Sequence, residues 1–114
     1  MKFVSIWKPD PTVWAAAPDE QQMAAMGQLI GELMSAGVLL DTGGVSDGGS
    51  SLRVQLAGGK VTVTDGPFTE SKELVGGFAI LKVDSKDEAI ALTRRFLDIA
   101  GDGMSELHEV SELS

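Results

Sequence analysis

Hydrophobic residues recur along this chain at two different spacings. Four stretches rich in β-forming residues read as strands, and two longer stretches carry apolar residues every three or four positions, which is typical of helices. The strand-like stretches are Lys2 to Lys8, Val38 to Val45, Val75 to Val83 and Met104 to Val110. The helical stripes are Met23, Met26, Ile30, Leu33 and Met34, then Ala89, Leu92, Phe96 and Ile99. The order is therefore β-α-β followed by a second β-α-β.

Two further strand-like stretches lie between these halves. Leu52 to Leu56 and Lys60 to Thr64 flank the short connection Ala57-Gly58-Gly59, whose glycines suit a hairpin. Two β-α-β halves of this kind form a split βαβ sheet with both helices on one face. The chain is thus predicted to be one α+β, ferredoxin-like domain over residues 1–114, with an inserted β-hairpin.

Local residues mark the helix ends. Ala17 is a poor N-cap, so the first helix is expected to depend on tertiary packing for its start. Gly37 is expected to stop that helix. The sequence Ser85-Lys86-Asp87-Glu88 is a capping box at the start of the second helix, and Gly101 is expected to end it.

The strand from Val75 to Val83 is apolar on both faces. Phe78 and Ile80 fall on one face, whereas Ala79 and Leu81 fall on the other. Helices that cover a sheet on one side need only one apolar face. The second face is therefore predicted to need a partner.

Composition excludes several classes of protein. A length of 114 residues suits one domain. The net charge of −8 makes nucleic-acid binding an unfavourable interpretation. No apolar run approaches the length of a membrane span, and the N-terminus lacks the core of a signal peptide. Cysteine is absent, which fits a cytoplasmic protein and excludes thiolate chemistry.

The richest local sequence is Asp65-Gly66-Pro67-Phe68-Thr69-Glu70-Ser71-Lys72-Glu73. Gly66 tolerates unusual backbone angles, and Pro67 fixes φ and removes a donor. Such a corner can hold the four charged side chains within it in a fixed relation to one another.

The order Asp-Gly-Pro-Phe, then Glu, then Lys-Glu, then Gly-Gly-Phe resembles the YciI-related proteins of the DGPF-motif type. The resemblance is strongest from Val61 to Val83. It implies a ferredoxin-like fold whose sheets associate into a homodimer, a dimeric α/β barrel. That family has no established reaction. Some of its members are thought to use a histidine–aspartate pair whose histidine lies in the first half of the chain. This chain has no histidine before His108, so that pair cannot be carried over.

Each charged residue of the corner has two interpretations. Asp65 either caps the turn or accepts a proton or ligand in a cleft. Glu70, Lys72 and Glu73 either form an exposed, solvated loop or supply an acid and a base, with Lys72 fixing a neighbouring carboxylate. Pro67 and Phe68 are the candidate residues that line such a cleft.

His108 is the only histidine. It lies two residues from Glu106 on a predicted strand, so both side chains are expected on one face. Together they are either a general base with its orienting carboxylate or a surface or dimer-interface pair.

These residues leave two functions open. The first is a dimer that binds, or transfers a proton on, a small metabolite at a sheet-lined cleft beside the corner, without a metal or an organic cofactor. The second is a non-catalytic ligand-sensing or protein-binding regulatory module. A third interpretation gives the corner only a structural role.

Overall fold

A computed structural model describes residues 1–45, 51–65 and 75–111 of the chain. It contains six strands and three helices in these ranges: β1 (Lys2–Pro9), α1 (Pro11–Ala15), α2 (Glu20–Ser35), β2 (Leu39–Gly44), β3 (Leu52–Ala57), β4 (Lys60–Asp65), β5 (Gly77–Lys82), α3 (Lys86–Ala100) and β6 (Gly103–Glu109). None of the helices in these ranges is long and apolar enough to cross a membrane.

The main sheet has the strand order β2-β5-β1-β6, and every neighbouring pair is antiparallel. The central strands are β1 and β5, the first and third of these four strands along the chain. This is the split βαβ arrangement of a ferredoxin-like domain. The predicted α+β class and the order of its main elements are confirmed.

The side chains of β1 alternate between the two faces of this sheet. Phe3 pairs with Leu81, and Ser5 pairs with Ala79, on the face that the helices cover. This face holds the buried cluster that joins sheet and helices, formed by Phe3, Leu29, Leu33, Leu39, Leu81, Val83 and Ala89. The other face carries Val4, Ile6, Phe78 and Ile80, which are only half-buried. We call it the open face.

Helix α2, the first of the two helices predicted from the sequence, has a better N-cap than the sequence indicated. Asp19, not Ala17, is the N-cap, and its carboxylate accepts a hydrogen bond of 2.7 Å from the Gln22 amide. At the other end Gly37 has φ +74°, so the predicted stop is confirmed. The predicted N-cap residue was wrong, because Asp19 satisfies an orphan amide; the dependence of the start on tertiary packing stays a prediction.

The capping box of α3 is present in a modified form. The Ser85 hydroxyl accepts from the Glu88 amide at 3.1 Å, as predicted. The Glu88 carboxylate reaches back to the amide of Asp84, one residue before the cap, at 3.0 Å.

The sequence also missed a short helix. No strand or helix was predicted between Lys8 and Ala17, yet Pro11–Ala15 is helical. Its N-cap, Asp10, accepts hydrogen bonds from the amide and the hydroxyl of Thr12, at 2.9 and 2.6 Å. Proline at the first helical position suits this start because its missing N–H would have no partner there.

Strands β3 and β4 form a separate two-stranded antiparallel sheet, residues 52–65, which we call the arm. The predicted hairpin is confirmed, with Gly58 and Gly59 both at positive φ. Every residue of β3 and β4 is exposed, and the two strands pair only with each other.

Helix α2 contains an exposed glycine that offers a test of this description. An alanine methyl group at Gly31 would meet no atom within 4 Å. We expect Gly31→Ala to raise the free energy of unfolding by about 0.5–1 kcal/mol, because alanine loses less backbone entropy in a helix. Gly37→Ala should instead lower it by about 1–2 kcal/mol, because Gly37 has positive φ. Urea unfolding measures both, and equal signs would contradict the placement of α2.

Candidate functional site

A cavity of about 700 Å³ lies between the main sheet and the helices. Its floor comes from β1, β2 and β5, and its walls come from all three helices. The lining is mostly aliphatic and aromatic. None of the described residues that line it carries a formal charge.

An aromatic cluster forms one side of the cavity. The rings of Trp7 and Trp14 have centroids 6.3 Å apart, with planes at 64°. The Phe96 ring stands perpendicular to Trp7 at 5.4 Å. These edge-to-face geometries are the favourable ones for aromatic pairs. They fix the indole of Trp7, which comes from the central strand, against α1 and α3.

Two glycines leave room for this indole. A methyl group at Gly76 would lie 2.7 Å and 2.8 Å from two atoms of the Trp7 ring, and 2.9 Å from Cδ of Pro9. The Gly76 amide donates a 2.7 Å hydrogen bond to the Trp7 carbonyl. At Gly77, an added methyl group would approach the Gly43 carbonyl to 2.9 Å. The Gly76-Gly77 pair is thus required by close packing beside the cavity.

A few polar groups belong to residues that line this apolar space. The indole N–H of Trp7 is buried and has no hydrogen-bond partner among the described residues. Ser5, only 8% exposed, lines the floor. The Thr42 hydroxyl donates to the Phe78 carbonyl at 2.8 Å, and the Gln22 amide nitrogen donates to the Ile99 carbonyl at 2.9 Å. The Trp7 N–H is thus an unsatisfied buried donor beside the cavity, and its burial closes it to a ligand in the space as the structure stands.

The predicted corner is described only at its edges. Asp65 is exposed and is the last residue of β4. Pro67, Phe68, Glu70, Lys72 and Glu73 lie outside the described residues. The described chain resumes at Val75, and the next residue, Gly76, lines the cavity.

His108 and Glu106 lie together on the open face, as the alternation predicted. The His108 Nε2 atom is 3.6 Å from a Glu106 carboxylate oxygen, and the Lys8 Nζ atom is 3.2 Å from the other. The hydrogen bond and charge of Lys8 lower the pKa of Glu106, with a smaller contribution from His108. Because the cavity lies on the helix side of the sheet, His108 does not line it. Its catalytic role stays a prediction.

No cluster of three or more histidine, aspartate or glutamate side chains that could hold a metal ion occurs in residues 1–45, 51–65 and 75–111. The cavity in these residues thus offers apolar contacts and a few neutral hydrogen-bonding groups.

The sequence model of the YCII-related domain family matches residues 1–114 of this chain. The chain belongs to this family. A search of curated proteins found no match. A solved structure, the 5-chloro-2-hydroxyhydroquinone dehydrochlorinase of Burkholderia phenoliruptrix AC1100 in complex with 2,5-dihydroxybenzoquinone, is similar with a TM-score of 0.51 and 16% identity. The similarity covers 97% of this chain and 94% of that one, and it supports the α+β fold.

Sequence reasoning about this YCII-related domain missed the cavity. It placed the binding cleft beside the charged corner instead. The signal that could have drawn attention to the cavity is the Gly76-Gly77 pair beside a strand, because glycines at such positions often mark close approach of another group.

The contact between Gly76 and Trp7 gives a direct test of the cavity wall. We expect Gly76→Ala to lower the free energy of unfolding by about 1–3 kcal/mol, because the new methyl group must displace the indole. The tryptophan emission maximum should shift as well. Gly44→Ala is the matched control, since a methyl group there meets nothing within 4 Å. Equal behaviour of the two variants would contradict the packing of Trp7.

Proposed function

We propose that this YCII-related domain binds a small, uncharged and mainly apolar metabolite, of the size of one or two rings, in the cavity between its sheet and its helices. The cavity itself carries this proposal. Its volume of about 700 Å³ lies within the usual range of ligand pockets, roughly 300–1,000 Å³.

The chemistry of the lining selects the ligand class. A charged ligand would lose its hydration there without gaining an opposite charge from the described residues, which is costly. Apolar atoms gain contact with Trp7, Trp14 and Phe96.

If the protein is an enzyme, we propose that residues of the corner transfer the proton. No ionisable residue lines the described cavity, so an acid or a base must come from elsewhere. We propose Asp65, Glu70 and Glu73 for this role, Lys72 to fix a carboxylate, and Pro67 and Phe68 to line the entrance. Support comes from the position of Gly76, which follows the corner closely and borders the cavity.

The absence of charge among these lining residues also favours the second candidate function, a ligand sensor without catalysis. A cavity of this composition can bind a ligand without altering it. The dehydrochlorinase of similar fold indicates that such a fold can serve an enzyme of ring compounds, and its similarity to this chain extends to the fold alone.

We further propose a cytoplasmic homodimer that associates through the open faces of its sheets, forming a dimeric α/β barrel. The half-buried Val4, Ile6, Phe78 and Ile80 have no helix over them in the described structure. Contact between two such faces would bury them, with Lys8 and Glu106 at the rim.

Binding can be measured with a neutral fluorescent probe, N-phenyl-1-naphthylamine. We expect its emission to rise on binding and the emission of both tryptophans, which line the cavity, to fall. Ala79→Phe should weaken binding about tenfold or more, because the new ring occupies the floor and a lost ring contact costs about 1.4 kcal/mol or more. Ile90→Phe, on the exposed side of α3, is the control. Equal affinity in both variants would refute the proposed site.

The role of the corner is tested by native mass spectrometry of the protein taken directly from producing cells. We expect Asp65→Asn to reduce occupancy by a retained metabolite about tenfold or more, because a hydrogen bond to a charged group contributes about 1.5–3 kcal/mol. Asp98→Asn, an exposed change on α3, should leave occupancy unchanged. Unchanged occupancy in Asp65→Asn would remove Asp65 from the site.

A further inference from the structure

The arm has one face made almost entirely of aliphatic side chains. Leu56 pairs with Val61 and Val54 pairs with Val63, so these four lie on the same face, with Leu52 at its end. All five are among the most exposed apolar residues described: Leu52 63%, Val54 66%, Leu56 71%, Val61 60% and Val63 60%. The opposite face carries Arg53, Gln55, Lys60, Thr62 and Thr64.

This alternation is that of a strand pair with one buried face. Apolar residues at every second position normally face a core, and polar residues between them face water. Yet β3 and β4 pair only with each other, and the described main sheet and helices do not cover them. A single two-stranded hairpin is at best marginally stable in water. The aliphatic face of the arm therefore needs a cover.

The size of this face matches an interface between proteins. If each of the five side chains exposes about 100 Å² of apolar surface, together they expose on the order of 500 Å². That value is in the range of the largest apolar patches on monomers, which are often functional. If two copies each contribute one such face, they bury about 1,000 Å², the lower bound expected of a specific interface.

Most of the charge on the arm lies away from its aliphatic face. Residues 52–65 contain Arg53 and Lys60 against one acid, Asp65, a net charge of +1. The whole chain carries −8, so the remaining residues carry −9. Arg53 and Lys60 lie on the polar face, and the aliphatic face carries only Asp65 at its end, so the buried area rather than charge favours a second copy.

We infer that the aliphatic face of the arm packs against a second copy of this chain and forms part of the dimer interface. The inference rests on the dimer proposed above and adds the arm to it. Asp65 pairs with Leu52 and so shares the aliphatic face.

The test compares two lysine substitutions at neighbouring positions of β3. Leu56→Lys puts a charge on the aliphatic face, and Gln55→Lys puts the same charge on the polar face. We expect the parent and Gln55→Lys to sediment as dimers. The dimer dissociation constant of Leu56→Lys should rise about 30-fold or more, as at a well-packed interface residue. Analytical ultracentrifugation over a concentration series measures all three.

A cross-linking experiment covers the case in which Leu56→Lys fails to fold. The chain has no cysteine, so Val54→Cys carries a single site for a photoactivated thiol cross-linker. In an equal mixture of ¹⁴N-labelled and ¹⁵N-labelled protein, we expect Val54→Cys to form cross-links between a ¹⁴N chain and a ¹⁵N chain. Gln55→Cys should form at least about tenfold fewer of these cross-links.

Three results would overturn the inference. They are a monomeric parent, cross-links from Val54→Cys confined to one copy, and a Leu56→Lys variant that dimerises as tightly as Gln55→Lys. The last would leave the open-face dimer in place and exclude only the arm. Probe binding in the cavity is a separate measurement, because Leu56 does not line it.

Discussion

The position of β1 in the centre of the main sheet is the constraint on which the rest of this structure depends. It pairs along nearly its whole length with β5 on one side and β6 on the other. Because side chains alternate along a strand, each successive residue of β1 is assigned to the helix side or to the open face. Phe3, Ser5 and Trp7 thus build the core and the cavity, and Val4 and Ile6 build the opposite surface.

The two surfaces have different chemistry as a result. On the helix side, Trp7 extends beyond the tightly packed cluster around Phe3 and Leu81, and the space beside it stays open as the cavity. On the other side, the apolar centre ends at an ion pair of Lys8 and Glu106. A neutral ligand suits the first surface. A second copy, with polar groups meeting at the rim, suits the other.

The arrangement of the main elements could be predicted from the sequence because the hydrophobic period, the glycines and the capping box of α3 indicated the same boundaries. The two faces of β5 and the shared face of Glu106 and His108 follow from strand alternation alone. Helix α1 was missed because Pro9 and Pro11 read as a loop, although Asp10 caps a helical turn. The cavity could not be predicted, since it depends on how α1 and α3 hold Trp7 against the sheet.

Residue-resolved amide hydrogen exchange tests the central role of β1 most directly. The account predicts that β1 and β5 amides exchange slowest, at the rate set by global unfolding, with the Gly76 amide, bonded to the Trp7 carbonyl, protected as well. The edge strands β2 and β6 should exchange sooner. Amides of β1 that exchange as fast as those of the edge strands would contradict the account.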